Sequence, residues 1–173
     1  MKRFIVVSLL IFFTFIMQGT VLRALAFSSV APNGVLMIVS CFGFMRGQNE
    51  GMLVGFACGL LTDIFFGGGV IGGYALIYTL MGYLNGYFHR VFYPEDVKLP
   101  ILFVAVSDLT YSMTVYILMF LLRRRISLPS YLRQVMLPEA VYTVLLTLLV
   151  YRIVLSINVR LEKEERENES IFV

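Results

Sequence analysis

The sequence predicts an all-α integral membrane protein of six transmembrane helices, and three observations carry that expectation. Of its 173 residues, 59% are hydrophobic and only 14% charged. Its mean hydropathy of +0.85 stands well above that of soluble domains, which are about half apolar. Its apolar residues fall into runs approaching the roughly 20 residues that cross a bilayer as a helix, separated by charge, glycine or proline. The length suits one domain of about five to seven such helices, with no room beside them for a sizeable soluble domain. The expected division is a six-helix transmembrane domain over 1–158 and a charged cytoplasmic tail over 159–173.

The first helix is expected over 4–22. Lys2 and Arg3, an apolar core and Ala24-Leu25-Ala26 together imitate a signal peptide. The apolar stretch is longer than a usual h-region, however, and Arg23 interrupts it, so the reading is an uncleaved helix. The second helix (32–45) and the third (51–66) are short. At 1.5 Å per residue they reach about 21 to 24 Å, less than a hydrocarbon core of about 30 Å. They must be tucked among longer neighbours or sit where the bilayer is thinned. The fourth, fifth and sixth helices are expected over 72–89, 100–122 and 137–157. Pro32, Pro100 and Pro138 fall at helix starts, where a missing N–H breaks no bond.

Lys and Arg lie between the apolar segments, as topology determinants do. The net charge of +3 is too small and dispersed for nucleic-acid binding. With the N-terminus inside, Lys2, Arg3, Arg46, Arg90, Lys98, Arg152, Arg160, Lys163 and Arg166 are cytoplasmic, nine against five. Arg23, Arg123, Arg124, Arg125 and Arg133 are then outside, so both termini are expected in the cytoplasm. The run LLRRRIS violates the rule locally: it lies along an anionic outer surface, meets a partner, or marks a misplaced helix. Cys41 and Cys58 lie in apolar segments and read as small hydrophobes, not as a disulfide or metal site. The mixed-charge tail from Val159 reads as a solvated, fraying helix end, or else as a docking strip closing on Ile171, Phe172 and Val173.

The third helix places Gly51, Gly55 and Gly59 at four-residue spacing, and Asp63 continues the series. Four residues turn a helix by about 400°, so the stripe drifts slowly and stays on one side. Gly82 and Gly86 repeat the spacing in the fourth helix. The expectation is an antiparallel hairpin packed through small residues and turned by GGGVIGG. The fourth helix carries a polar side of Tyr74, Tyr78, Asn85 and His89. Asn85 is read as bonding a neighbouring helix, and His89 as an interfacial residue.

The fifth helix holds a polar belt of Ser107, Asp108, Thr110, Tyr111, Ser112 and Thr114; the sixth opens with Glu139, followed by Tyr142 and Thr143. An acid within a membrane is a functional candidate by default, which singles out Asp63, Asp108 and Glu139. Of these only Asp108 is deep. The contexts Leu61-Thr62-Asp63 and Val106-Ser107-Asp108 are not those of intramembrane aspartyl proteases, and no metal cluster, nucleophile elbow or P-loop is present. No enzyme, cofactor or metal is expected. Asp63 reads as a structural acid that reaches water, Arg23 or, best, the free amides of the glycine turn.

The stretches APNGVLMIVSCFGFMRG, EGMLVGFACGLLTDIFFGGGVIGGYALIYTLMGYLNGYFHR and LPEAVYTVLLTLLVYRI, in that order and spacing, resemble the MreD family of rod shape-determining proteins. Asn33 departs from it, since many members carry an acid after the proline. The resemblance implies a non-enzymatic scaffold of the bacterial inner membrane, with a fold similar to the S components of energy-coupling-factor transporters. Its implied partners are MreC, RodA with its class B penicillin-binding protein, membrane lipids and, indirectly, MreB filaments. Gly51, Gly55, Gly59, Asp63, Gly82, Asn85 and Gly86 are the expected packing and partner-binding residues, and Asp108, Tyr111 and Glu139 the intramembrane polar set. The rival is a vitamin-binding S component. That class couples through an Ala-x-x-x-Ala pattern in its first helix, and 4–22 contains no alanine.

Overall fold

The computed structural model describes residues 2–24, 30–66, 72–91, 98–123 and 128–171. The first helix, Lys2–Met17, continues as a π-helical turn, Gln18–Leu22. The second is Gly34–Arg46 and the third Gln48–Phe66. The fourth, Gly73–Tyr87, ends in a 3-10 turn, Phe88–Val91, and the fifth is Lys98–Arg123. A short helix, Leu128–Tyr131, and a π turn, Leu132–Met136, lead into the sixth helix, Leu137–Ile171. Among the described residues, four segments are long and apolar enough to cross a membrane: Phe4–Leu22, Gln48–Phe66, Lys98–Leu118 and Pro129–Leu161.

The second helix is the axis of the bundle. Its 13 residues are apolar on all sides, and every residue from Gly34 to Met45 is buried. A helix without a polar face suits lipid and a protein interior alike, and this one is enclosed by protein. Packed against all five neighbours, it needs no contact with lipid, so its length of about 20 Å need not match the bilayer. Asn33 caps it, its side chain accepting from the Leu36 amide at 3.0 Å. Gln18 completes the start: its Oε1 accepts from Gly34 N at 2.8 Å and its Nε2 donates to Pro32 O at 3.1 Å. The π turn of the first helix thus satisfies a backbone donor that the second leaves open.

Gly47 alone joins the second and third helices, at φ +94°, a left-handed conformation that only glycine adopts freely. The third helix then starts at Gln48, three residues earlier than expected, and with 19 residues it is no short helix. Its polar first turn is not a loop, because Glu50 there faces the positive end of the helix dipole.

The sixth helix also departs from expectation. It starts at Leu137 as expected, but a short helix and a π turn lead into it without a break from Leu128, and it continues to Ile171 where a fraying end was expected. Pro138 is carried inside the run. A proline clashes with the carbonyl four residues back, here Gln134, and that residue sits in the π turn Leu132–Met136, where the wider turn makes room. Arg124 and Arg125 lie outside the described residues, as do Phe172 and Val173.

The third and fourth helices form the closest pair, with backbone on backbone. A Cβ added at Gly51 would meet Gly82 O, one at Gly55 would meet Tyr78 O, and one at Gly59 would meet Ala75 Cα. From the facing side, Gly82 would meet Gly51 O and Gly86 would meet Gln48, all inside the 3.0 Å that real contacts respect. Gly43 of the second helix joins the same crossing against Gly82 O, at 2.7 Å. Such small-residue contact lets helices associate where lipid gives them no hydrophobic reason to do so. Because backbone cannot yield as a side chain does, Gly55→Ala should destabilise the protein by about 1–3 kcal/mol. Gly73→Ala, whose added Cβ meets nothing within 4 Å, should be neutral or slightly stabilising. Denaturant titration in micelles would separate the two.

Candidate functional site

The hairpin is closed by Asp63. The fourth helix starts after Gly72, a cap residue at φ +107° with no side chain to hold the first amides. Asp63, at the end of the third helix and 4% exposed, fills that role from across the turn. Its Oδ2 accepts from Gly72 N at 3.0 Å and Ala75 N at 2.9 Å, and its Oδ1 accepts from Tyr74 N at 3.0 Å. Of the three partners open to it in sequence, the structure shows the amides. A carboxylate at a helix N-terminus satisfies orphan donors and meets the positive end of the dipole together. Arg23 lies elsewhere, its guanidinium 5.8 Å from the centre of the Phe66 ring.

Along the outer side of this hairpin runs an apolar cleft of about 610 Å³. It is lined by the small or short residues Gly72, Ala75 and Thr79 and by the larger Met52, Phe56, Leu76, Leu80 and Tyr83. These larger residues are exposed, as befits a surface that meets lipid or another helix.

A second group of polar side chains lies inside the bundle. Asp108 is fully buried, and its Oδ1 accepts from Thr143 Oγ1 at 3.4 Å. Thr143 in turn accepts from Asn33 N at 3.0 Å, so one chain of bonds ties the fifth, sixth and second helices. Tyr78 OH donates to Asn33 Oδ1 at 3.3 Å, and its ring stacks on Tyr111 with centroids 5.3 Å apart. Ser112 Oγ donates to Glu139 Oε2 at 3.0 Å. Asp108, Tyr111 and Glu139 are therefore brought into one neighbourhood, and Asp63 is not part of it. Asp108 Oδ2 has no hydrogen-bond partner among the described residues.

Asn85 sits in a different cluster. Its Nδ2 donates to Ser107 Oγ at 2.7 Å and Met81 O at 2.8 Å, with Ser40 Oγ at 3.4 Å, which links the fourth, fifth and second helices. At the opposite end from Asp63, Arg46 donates to the side chain and carbonyl of Asn158, and the His89 ring lies 2.9 Å from Phe44 O. Sequence reasoning missed Gln18, Arg46 with Asn158, and Gly43. Gln18 had a signal, being an isolated amide in an apolar helix; the others depend on which helices meet. Among the described residues no group of three or more His, Cys, Asp or Glu is placed to hold a metal, and Cys41 and Cys58 are free and buried. The arrangement holds helices in register and displays an apolar cleft.

Asp63→Ala strands three amides at the start of the fourth helix and should destabilise the protein by about 2–4 kcal/mol. Asp63→Asn, which keeps one acceptor, should lose about half as much. Hydrogen exchange at Tyr74 and Ala75 is the direct check: both amides should lose protection in Asp63→Ala, while helix five stays protected.

No curated protein and no solved structure matches the chain. The family model described as rod shape-determining protein MreD matches residues 1–158. With its long apolar helices, the chain is a multi-pass membrane protein; it belongs to the MreD family and so to the proteins of rod-shape determination.

Proposed function

We propose that this protein is a non-enzymatic scaffold of the bacterial elongation complex, which binds the transmembrane helix of MreC and so helps position RodA and its class B penicillin-binding protein. MreB filaments are engaged indirectly. The observation that carries the reading is the apolar cleft on the hairpin of helices three and four, within a chain of the MreD family. A partner helix needs a close approach and an apolar wall. Gly72, Ala75 and Thr79 provide the first, and Met52, Phe56 and Tyr83 the second. In lipid, close packing of this kind is the main source of helix association.

The hairpin is suited to the task because it is stiff. Asp63 pins its turn and the glycine seam fixes its crossing, so a docked helix meets a preformed surface and little ordering entropy is lost on binding. Both termini are assigned to the cytoplasmic side of the inner membrane by the excess of Lys and Arg near the corresponding helix ends. That orientation puts Arg123, Arg124 and Arg125 outside, and cysteine labelling of intact cells at these positions tests it.

Thr79→Trp fills the cleft without touching the Asp63 cap. It should lower capture of MreC by about tenfold or more, the effect of losing a central contact of an interface. Leu149→Trp, at a position 76% exposed on the sixth helix, should leave capture unchanged. Equal capture by both variants in a pull-down from solubilised membranes places MreC elsewhere.

A further inference from the structure

All six helices contribute to a cavity of about 250 Å³ at the end of the bundle that carries Arg23. This lies just below the range of about 300–1,000 Å³ typical of drug-sized ligands, a size for a small polar group. Its charged lining residues are Arg23 and Glu139. They share one cavity yet no ion pair joins them. The Arg23 guanidinium lies over Phe66 at 5.8 Å, and Glu139 is held through Oε2 by Ser112 at 3.0 Å. Among the described residues Glu139 Oε1 has no partner. Tyr78 and Tyr111, stacked with centroids 5.3 Å apart, line the same cavity.

The backbone is irregular at the same place. Of the two π turns among the described residues, Gln18–Leu22 and Leu132–Met136, the first lines the cavity through Gln18 and Gly19. Gln18 opens the first and Arg23 follows it, and Glu139 comes three residues after the second. Segments of this kind are rare in helices and concentrate at functional sites, because they re-aim side chains that a regular helix would point elsewhere.

An anion alone would meet Glu139, and a cation alone would meet Arg23. A zwitterion satisfies both. We propose that the cavity binds a phosphoethanolamine group, with its primary ammonium at Glu139 beside Tyr78 and Tyr111 and its phosphate at Arg23. The group is carried either by a membrane lipid as its headgroup or by a soluble molecule. The site is separate from the cleft on the outer side of the hairpin, so its fate does not hang on MreC.

The test uses the purified full chain in detergent, titrated with short-chain phosphatidylethanolamine, with phosphatidylglycerol of the same acyl chains, and with soluble phosphoethanolamine. Binding is read by native mass spectrometry and thermal melting. One ethanolamine lipid per chain is expected, with phosphatidylglycerol weaker by about tenfold, as for loss of one charge-assisted bond. Glu139→Gln, whose amide oxygen still accepts from Ser112, and Arg23→Gln should each weaken the ethanolamine lipid to the same degree. Arg23 is exposed and makes no hydrogen bond among the described residues, so its variant decides the matter if Glu139→Gln fails to fold. Binding of the lipid but not of soluble phosphoethanolamine identifies a headgroup, and equal binding identifies a soluble source. Phosphatidylglycerol binding as tightly as phosphatidylethanolamine, or Arg23→Gln binding like the parent, overturns the proposal.

Discussion

The carboxylate of Asp63 is the contact on which the hairpin of helices three and four depends. A helix that starts with glycines has no side chain with which to cap itself, and in an apolar setting water is not at hand to replace one. Three amide donors therefore converge on one buried acid from the preceding helix. This fixes the distance between the two helices at the turn, and the glycines fix it along the rest of their length. Each device needs the other. Without the seam the carboxylate would not reach the amides, and without the cap the tightly packed backbones would be free to splay at the open end.

The second helix applies the same constraint in another way. Short, apolar and enclosed by the other helices, it has each of its ends tied by a side chain from elsewhere in the bundle. Gln18 and Asn33 satisfy its first amides, and Arg46 anchors its last turn to Asn158. The longer helices are then positioned around a central strut. Thr143, itself bonded to Asp108, reaches the amide of Asn33, and Asn85, bonded to Ser107, reaches Ser40, so that polar groups in the bundle hold helices together instead of facing lipid.

Six helices, their order and the hairpin were legible in the sequence, because hydropathy and four-residue glycine spacing are local signals. The role of Asp63 was legible too, since a lone acid beside a glycine turn has few partners. Helix boundaries were less so. An apolar run ends at a polar residue, but a helix does not: Gln48 to Glu50 belong to the third helix and Val159 to Ile171 to the sixth. The start at Leu137 was legible from Pro138, but the short helix and π turn that lead into it were not, because a proline is tolerated where a wider turn precedes it. The meeting of Asp108, Tyr111 and Glu139 with Asn33, Tyr78 and Thr143 could not be read, since it depends on how three separated helices are rotated. Gly43 and Gln18 were obscured for the same reason.

The sixth helix has 35 residues, a length of about 52 Å, against a hydrocarbon core of about 30 Å. A straight helix of that length outreaches a single perpendicular span, so it either tilts or carries its charged end beyond the hydrocarbon.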